Sequence, residues 1–225
     1  MNTKKYKTVL FDLDGTLLDT LADLRSSMNR ALTSYGFPPH TLDEVRSYVG
    51  NGILEYARRA VPAGTDEETL KKVLDAFKKD YKTHCSDETA PYLGVLTMLD
   101  ELKARGIKTA IVSNKADFGV QLLTEEYFGD RVLVARGERE GVPKKPAPDM
   151  VKAVMRELNA DPESTLYVGD SDVDFYTAVN AGIDVALVDW GFRDRMLLAS
   201  LLKTLPDQRR GCIVSTTDAL LDVIL

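Results

Sequence analysis

Two carboxylates separated by one residue, Asp12 and Asp14, stand at the end of the short β-branched and apolar run Thr8-Val9-Leu10-Phe11. Residues two apart in an extended chain point to the same side, so both acids can converge on one point. Like charges that close repel unless a cation or a shared proton lies between them, and a few hard oxygen donors favour Mg2+. Gly15 then lets the chain turn away. Asp-x-Asp-Gly is also an ordinary turn composition. Position argues for more, because ligands of open α/β sheets bind just beyond the carboxyl ends of the strands. Chemistry at Asp12 and Asp14 therefore requires partners from other strand ends.

Such partners are present. Ser113 and Asn114 follow the run Ile107 to Val112, Lys144 and Lys145 follow a loop after Val132 to Ala135, and Asp170, Asp172 and Asp174 follow Thr165 to Val168. Asp12, Asp14 and Asp170 can hold a metal ion, Ser113 and N–H groups near Asn114 can hold a phosphate oxygen, and Lys145 can neutralise its charge. Lys145 is preferred over Lys144 because the prolines of KKPAP pin its backbone. Taken alone, Ser113 reads better as the cap of a helix starting near Ala116 than as a ligand. The D-x-D-x-D spacing from Asp170 is that of a calcium loop, but Phe175 stands where glycine is needed and Ala181 where a bidentate glutamate is needed. His40 and His84 are the only histidines, too little for a zinc cluster or a Ser-His-Asp triad. No phosphate-cradling glycine loop and no G-x-S-x-G elbow occurs. Phosphoryl chemistry on a carboxylate nucleophile remains.

The elements that would position these groups are legible as periodicities. After Gly15, apolar residues from Leu17 to Tyr35 recur at three and four, and further helices are predicted from Thr41 to Tyr48, from Ile53 to about Ala60, and from a Thr65/Glu68 capping pair through Tyr81. Residues 18 to about 89 thus read as all helical, and the polar stretch from Ser86 to Gly94 as a linker. Beyond it, helices alternate with strands at Ile107–Val112, Val132–Ala135, Thr165–Val168, Asp184–Val188 and Cys212–Val214, ending in a helix from about Thr217. This order predicts an α/β fold, a Rossmann-like doubly wound parallel sheet core with an inserted helical unit. The expected divisions are 1–17 and 90–225 for the core and 18–89 for the insertion.

At 225 residues, 44% hydrophobic and 28% charged, the composition is that of a globular protein, with no apolar run long enough to span a bilayer. MNTKKYKTV runs straight into the first strand without an apolar signal region, and Cys85 and Cys212 form no disulfide pattern, so the cytoplasm is expected. A net charge of −6 argues against nucleic acid as a partner.

DLDGT at 12–16, IVSNK at 111–115, KKPAPD at 144–149 and VGDSDVDFYTAVNAG at 168–182 resemble, in this order, the four motifs of the haloacid dehalogenase-like hydrolases. The helical insertion resembles their cap domain, and YVGNGILEYARRAV at 48–61 with VDWGFRD at 188–194 is most similar to the phosphoglycolate phosphatases. The resemblance implies Asp12 as the nucleophile that forms an aspartyl-phosphate, and Asp14 as acid and then base. It implies Asp12, the Asp14 carbonyl and Asp170 as Mg2+ ligands, and Ser113, Asn114 and Lys145 as phosphate ligands. Thr16 and Asp174 fall in supporting places, Asp174 beside Lys145 or a metal-bound water. A cap would carry specificity. Gly50-Asn51-Gly52 sits at a helix N-terminus, where free N–H groups favour an anion, and Arg58 or Arg59 lies about two turns on. A plain inter-helix turn would look the same. The implied activity is Mg2+-dependent hydrolysis of a small phosphorylated metabolite, 2-phosphoglycolate first, by a monomer or homodimer. Pyrophosphatase, sugar-phosphate or nucleotide phosphatase and β-phosphoglucomutase-like activities share such a core. A receiver-like phospho-acceptor is the alternative of another class, against which stand Asp14 and the insertion.

Overall fold

The computed structural model describes residues 6–225. Six strands form one parallel sheet: β1 (Thr8–Phe11), β4 (Lys108–Ala116), β5 (Val134–Glu138), β6 (Thr165–Gly169), β7 (Asp184–Val188) and β8 (Gly211–Val214), in the order β5-β4-β1-β6-β7-β8. β1 lies between β4 and β6, with Phe11 opposite Ile111 on one side and Val168 on the other. The carboxyl ends of these three strands therefore meet at one edge of the sheet.

Alternation along β1 explains the three layers. Val9 and Phe11 point into one apolar cluster with α5 (Val95–Ala104), α6 (Asp117–Tyr127) and α10 (Thr217–Ile224). Leu10 points into the other, with α7 (Asp149–Glu157), α8 (Asp172–Ala181) and α9 (Arg195–Leu202). Side chains of this size, fully buried, stabilise the fold by about 1.5–3 kcal/mol each relative to exposure.

The helical unit comprises α1 (Leu21–Ser34), α2 (Leu42–Tyr48), α3 (Ile53–Ala60) and α4 (Glu67–His84). Its two connections to the sheet pair with one another, β2 (Leu18–Asp19) antiparallel to β3 (Ala90–Pro91). Asp23 of α1 secures the return: its buried carboxylate accepts from Glu88 N at 3.0 Å and Thr89 N at 2.8 Å. Inside, Tyr56 meets Phe77 edge-on at 5.6 Å, and Phe77 stacks on Tyr81 at 5.4 Å.

Several boundaries depart from the periodicity. The first helix starts at Leu21 rather than Leu17, because Leu18–Asp19 pairs with the linker. α4 is capped by Asp66, whose carboxylate accepts from Thr69 N at 2.8 Å, whereas Thr65 Oγ1 donates to Pro62 O. The second core strand runs on to Ala116, and α9 has no counterpart in the expected elements. Among the described residues no helix is long and apolar enough to cross a membrane.

Candidate active site

Asp12 leaves β1 with its amide donating to Val168 O of β6 at 2.9 Å, which seats its carboxylate at the sheet edge. Lys145 reaches it from the loop after β5. The ammonium group, 2% exposed as a residue, lies 3.0 Å from Asp12 Oδ1, 2.8 Å from Asp174 Oδ1 and 2.9 Å from Tyr167 Oη. Burial alone would lower the Lys145 pKa, but Asp12 and Asp174 hold it well above the ordinary lysine value. Asp174 is the anchor: its Oδ2 accepts from Ser171 Oγ at 2.6 Å and from the amides of Asp170 and Ser171. The capping box of Ser171 and Asp174 at the start of α8 makes that placement a local consequence of sequence.

Asp170 follows β6, with Oδ2 accepting from Phe192 N at 2.6 Å. Gly15 makes room for it. Its φ of +82° lies in the left-handed region, and a Cβ there would come within 2.4 Å of Asp170 Oδ2. Burial raises the Asp170 pKa well above the usual carboxylate value, with Asp174 and Asp12 adding to it. Burial likewise pushes Asp12 up to about 6, opposed by Lys145 and reinforced by Asp174 and Asp14. Asp12, Asp170 and Asp174 each offer an oxygen within 4.8 Å of the others, a group that can hold a metal ion. Asp174 is committed to Lys145, to Tyr167 Oη and to the Ser171 and Asp170 donors, whereas Asp12 is ion-paired with Lys145 at one oxygen and Asp170 accepts from Phe192 N at one, so Asp12 and Asp170 are the less engaged side-chain ligands. Asp12 Oδ1 is ion-paired yet buried without an aligned hydrogen bond. Crowded, desolvated hard oxygens of this kind fit a divalent cation.

Asp14 lines the same cleft, and its Oδ1 accepts from Thr20 Oγ1 at 2.7 Å and from Lys115 Nζ at 2.9 Å. Ser113 is buried, and α6 is capped without a side-chain bond, so Ser113 is not a helix cap. The Asn114 side chain is spent on backbone, donating to Lys145 O and Gly50 O and accepting from Lys145 N at 2.8 Å. The Asn114 side chain is thus held by backbone groups rather than presented to a phosphate oxygen. Thr16 is buried beside the turn, its carbonyl accepting from Trp190 Nε1.

The loop before α3 closes over this edge. Three successive carbonyls are gripped from the core: Val49 O by Arg193 Nη2 at 2.9 Å, Gly50 O by Asn114 Nδ2 at 3.2 Å and Asn51 O by Lys144 Nζ at 2.8 Å. Gly50 and Gly52 line the cleft together with Ile53, Tyr56, Phe77 and Tyr81. Arg58 is not brought there. Tyr56, Ala57 and Ala60 take the buried face of α3, so Arg58 turns outward to Glu67 at 2.6 Å, and Arg59 donates to Tyr48 O. Lys115, Tyr81, Lys144 and Arg193 join the expected residues at the site. Lys144 stands beside Lys145 in KKPAP and Arg193 in VDWGFRD, and Lys115 carries a local signal of its own, a lysine inside a buried strand.

A family model described as haloacid dehalogenase-like hydrolase matches residues 9–188. Phosphoglycolate phosphatase 1 of Pseudomonas aeruginosa is 31% identical over 230 residues, covering 99% of this chain and 84% of that protein. Phosphoglycolate phosphatase of Aquifex aeolicus is 31% identical over 188 residues, covering 83% and 86%. Among solved structures, a proposed phosphoglycolate phosphatase from Lactobacillus delbrueckii subsp. bulgaricus superposes with a TM-score of 0.89 at 33% identity, covering 98% of this chain and 99% of the other.

Proposed function

We propose that this chain, which belongs to the haloacid dehalogenase-like hydrolases, is a Mg2+-dependent phosphatase that converts a small phosphomonoester, foremost 2-phosphoglycolate, to its alcohol and phosphate. The observation that carries the chemistry is Asp12, buried at the sheet edge with Lys145 Nζ 3.0 Å from one oxygen and Asp170 within reach of the same point. The substrate rests on relatives named phosphoglycolate phosphatase that span most of this chain.

Phosphate monoester hydrolysis needs enhancements of up to about 10²¹, so several groups must act together. Asp12 attacks phosphorus while the ester P–O bond breaks, giving an aspartyl-phosphate and dividing the reaction into two steps. The departing ester oxygen takes its proton from Asp14, which then removes a proton from the water that hydrolyses the acyl phosphate. Lys145, Ser113 and N–H groups near Asn114 meet the charge on the equatorial oxygens. Asp12, Asp170 and the Asp14 carbonyl would hold Mg2+, which supplies further positive charge there. The gripped loop over the cleft excludes water other than the attacking one.

Phosphate release with Mg2+ from 2-phosphoglycolate, pyrophosphate, sugar phosphates and nucleotides tests this, with Asp12→Asn as control. Turnover led by 2-phosphoglycolate and abolished in a folded Asp12→Asn protein is expected. Broad, weak hydrolysis would withdraw the substrate. Near-normal Asp12→Asn activity would remove Asp12 as nucleophile, and no release at all would leave a phospho-acceptor.

A further inference from the structure

Lys115 is among the most buried cations of the site, 6% exposed, yet it takes no part in the phosphoryl-binding set around Lys145. Its ammonium donates to Asp14 Oδ1 at 2.9 Å and to Tyr81 Oη at 2.6 Å, and it lies 4.6 Å from the centre of the Tyr81 ring. Asp14 and Lys115 belong to the core, whereas Tyr81 belongs to α4 of the helical unit. Its desolvation is offset by the Asp14 charge and by the tyrosine, so it is a satisfied buried cation rather than a stray one.

The sequence makes room for this side chain. Gly119 of α6 has an ordinary helical backbone, so it is not there for a left-handed turn. A Cβ at that position would come within 3.1 Å of Lys115 Cε. The lysine can therefore lie across the first turn of α6 and reach Asp14. Thr20 Oγ1 and Lys115 Nζ both bond Oδ1 of Asp14, which fixes the carboxyl plane and reserves Oδ2 for the proton that passes to the ester oxygen.

We propose that Lys115 is a positioning residue for Asp14 and that Tyr81 completes the arrangement only when the helical unit is seated on the core. It rests on the phosphatase reading above. Proton donation is aligned by a bond that the cap supplies, so acid catalysis is switched on by closure. Stacking of Tyr81 on Phe77 and of Phe77 against Tyr56 ties the position of the hydroxyl to the packing of the whole unit.

The leaving group reads this role apart from a structural one. An alkyl phosphate needs its departing oxygen protonated, whereas a p-nitrophenyl ester departs without help. The ratio kcat/KM reports the first phosphoryl transfer, where the two differ. Lys115→Met is expected to lower kcat/KM for 2-phosphoglycolate by about 10²-fold and for p-nitrophenyl phosphate by less than about 5-fold, in the range general acid catalysis covers. Tyr81→Phe, which keeps the ring and its packing, is expected to shift the same ratio in the same direction by about 3- to 10-fold. Should Lys115→Met fail to fold by thermal melt, Tyr81→Phe decides alone. Equal losses on both esters, or no loss, would overturn the role of Lys115. If the wild-type protein releases phosphate from neither ester with Mg2+, the phosphatase reading falls instead, before any Lys115 variant is compared.

Discussion

Replacing Arg193 by Met should loosen the grip on the cleft loop by an amount the geometry sets. The guanidinium donates to Arg46 O and Val49 O at 2.9 Å each, at the C-terminal end of α2, where helix carbonyls have no partners of their own. A cation there also meets the negative end of the helix dipole, worth about 0.3–1 kcal/mol. Hydrogen bonds from a charged donor contribute about 1.5–3 kcal/mol each. The arginine side chain is 17% exposed, and opening returns donor and acceptors to water, so about 1 kcal/mol per bond is the fair figure. Together these favour the closed arrangement by about 2–3 kcal/mol, a factor of about 30–150 in the open-to-closed ratio.

Amide hydrogen exchange across residues 49–60 reads that ratio directly, and kcat/KM reads its consequence. Arg193→Met should lose protection in this segment by that factor and lower kcat/KM to the extent that the closed fraction falls, with the thermal midpoint of the core unchanged. Lys144→Met, which frees Asn51 O, should do the same more weakly. Because the two side chains hold carbonyls of one loop, the double variant should fall short of additivity: once the loop is free, the second bond has little left to hold. Protection and kcat/KM within twofold of wild type in Arg193→Met would refute the reasoning.

Two further outcomes follow from buried carboxylates. Asp23→Asn removes a charge that accepts from Glu88 N and Thr89 N, and turns an amide donor toward one of them. A loss of about 2–4 kcal/mol is expected, or about 5–15 °C in Tm for a chain of this size; a midpoint within 2 °C, roughly 0.5–1 kcal/mol on that scale, would show the linker return is held elsewhere. The metal-free protein should lose stability as pH rises. Asp12 has a folded pKa of about 6 against an ordinary 3.8, so between those values the folded state binds more protons than the unfolded one. Stability is then greatest below about pH 4 for this group, falls through the window and levels off above it, by about 3 kcal/mol in all. Asp170 acts with the same sign. Mg2+ should accordingly raise Tm more at pH 7.5 than at pH 5, and a gain independent of pH would contradict a cation on these carboxylates.

What could be read from the chain, and what could not, divides by range. Asp12, Asp14 and Asp170 declare themselves locally, because each stands at the end of a short apolar strand, and the two prolines after Lys145 mark that lysine. The fold followed from alternation of periods, down to the capping box of Thr41 and Glu44. Lys115 could not be assigned a partner, since Tyr81 and Asp14 lie 34 and 101 residues away. Arg58 was misplaced because two turns along a helix do not fix the face: the buried Tyr56, Ala57 and Ala60 set the rotation of α3 and leave Arg58 with Glu67. α9 hid behind an irregular pattern, with Met196 84% exposed on a short apolar segment.

The cleft loop shows why specificity was harder to read than chemistry. Free N–H groups at the start of α3 suggested an anion site, yet the structure spends the carbonyls of the loop on the core, and the side chains that take them are neighbours of the reacting groups. Lys145 turns inward to Asp12 and Asp174 while Lys144 reaches Asn51 O. Lys115 turns to Asp14 and Tyr81 while Asn114 bonds Gly50 O and both backbone groups of Lys145. Adjacent residues of β4 face opposite ways, so Asn114 and Lys115 reach different partners from neighbouring positions. Lifting the loop therefore removes bonds from Asn114 and Lys144, each one peptide away from Lys115 and Lys145. The seating of the loop and the placement of Asp12 and Asp14 are coupled through the backbone itself, and a substitution at any of these four positions should disturb both.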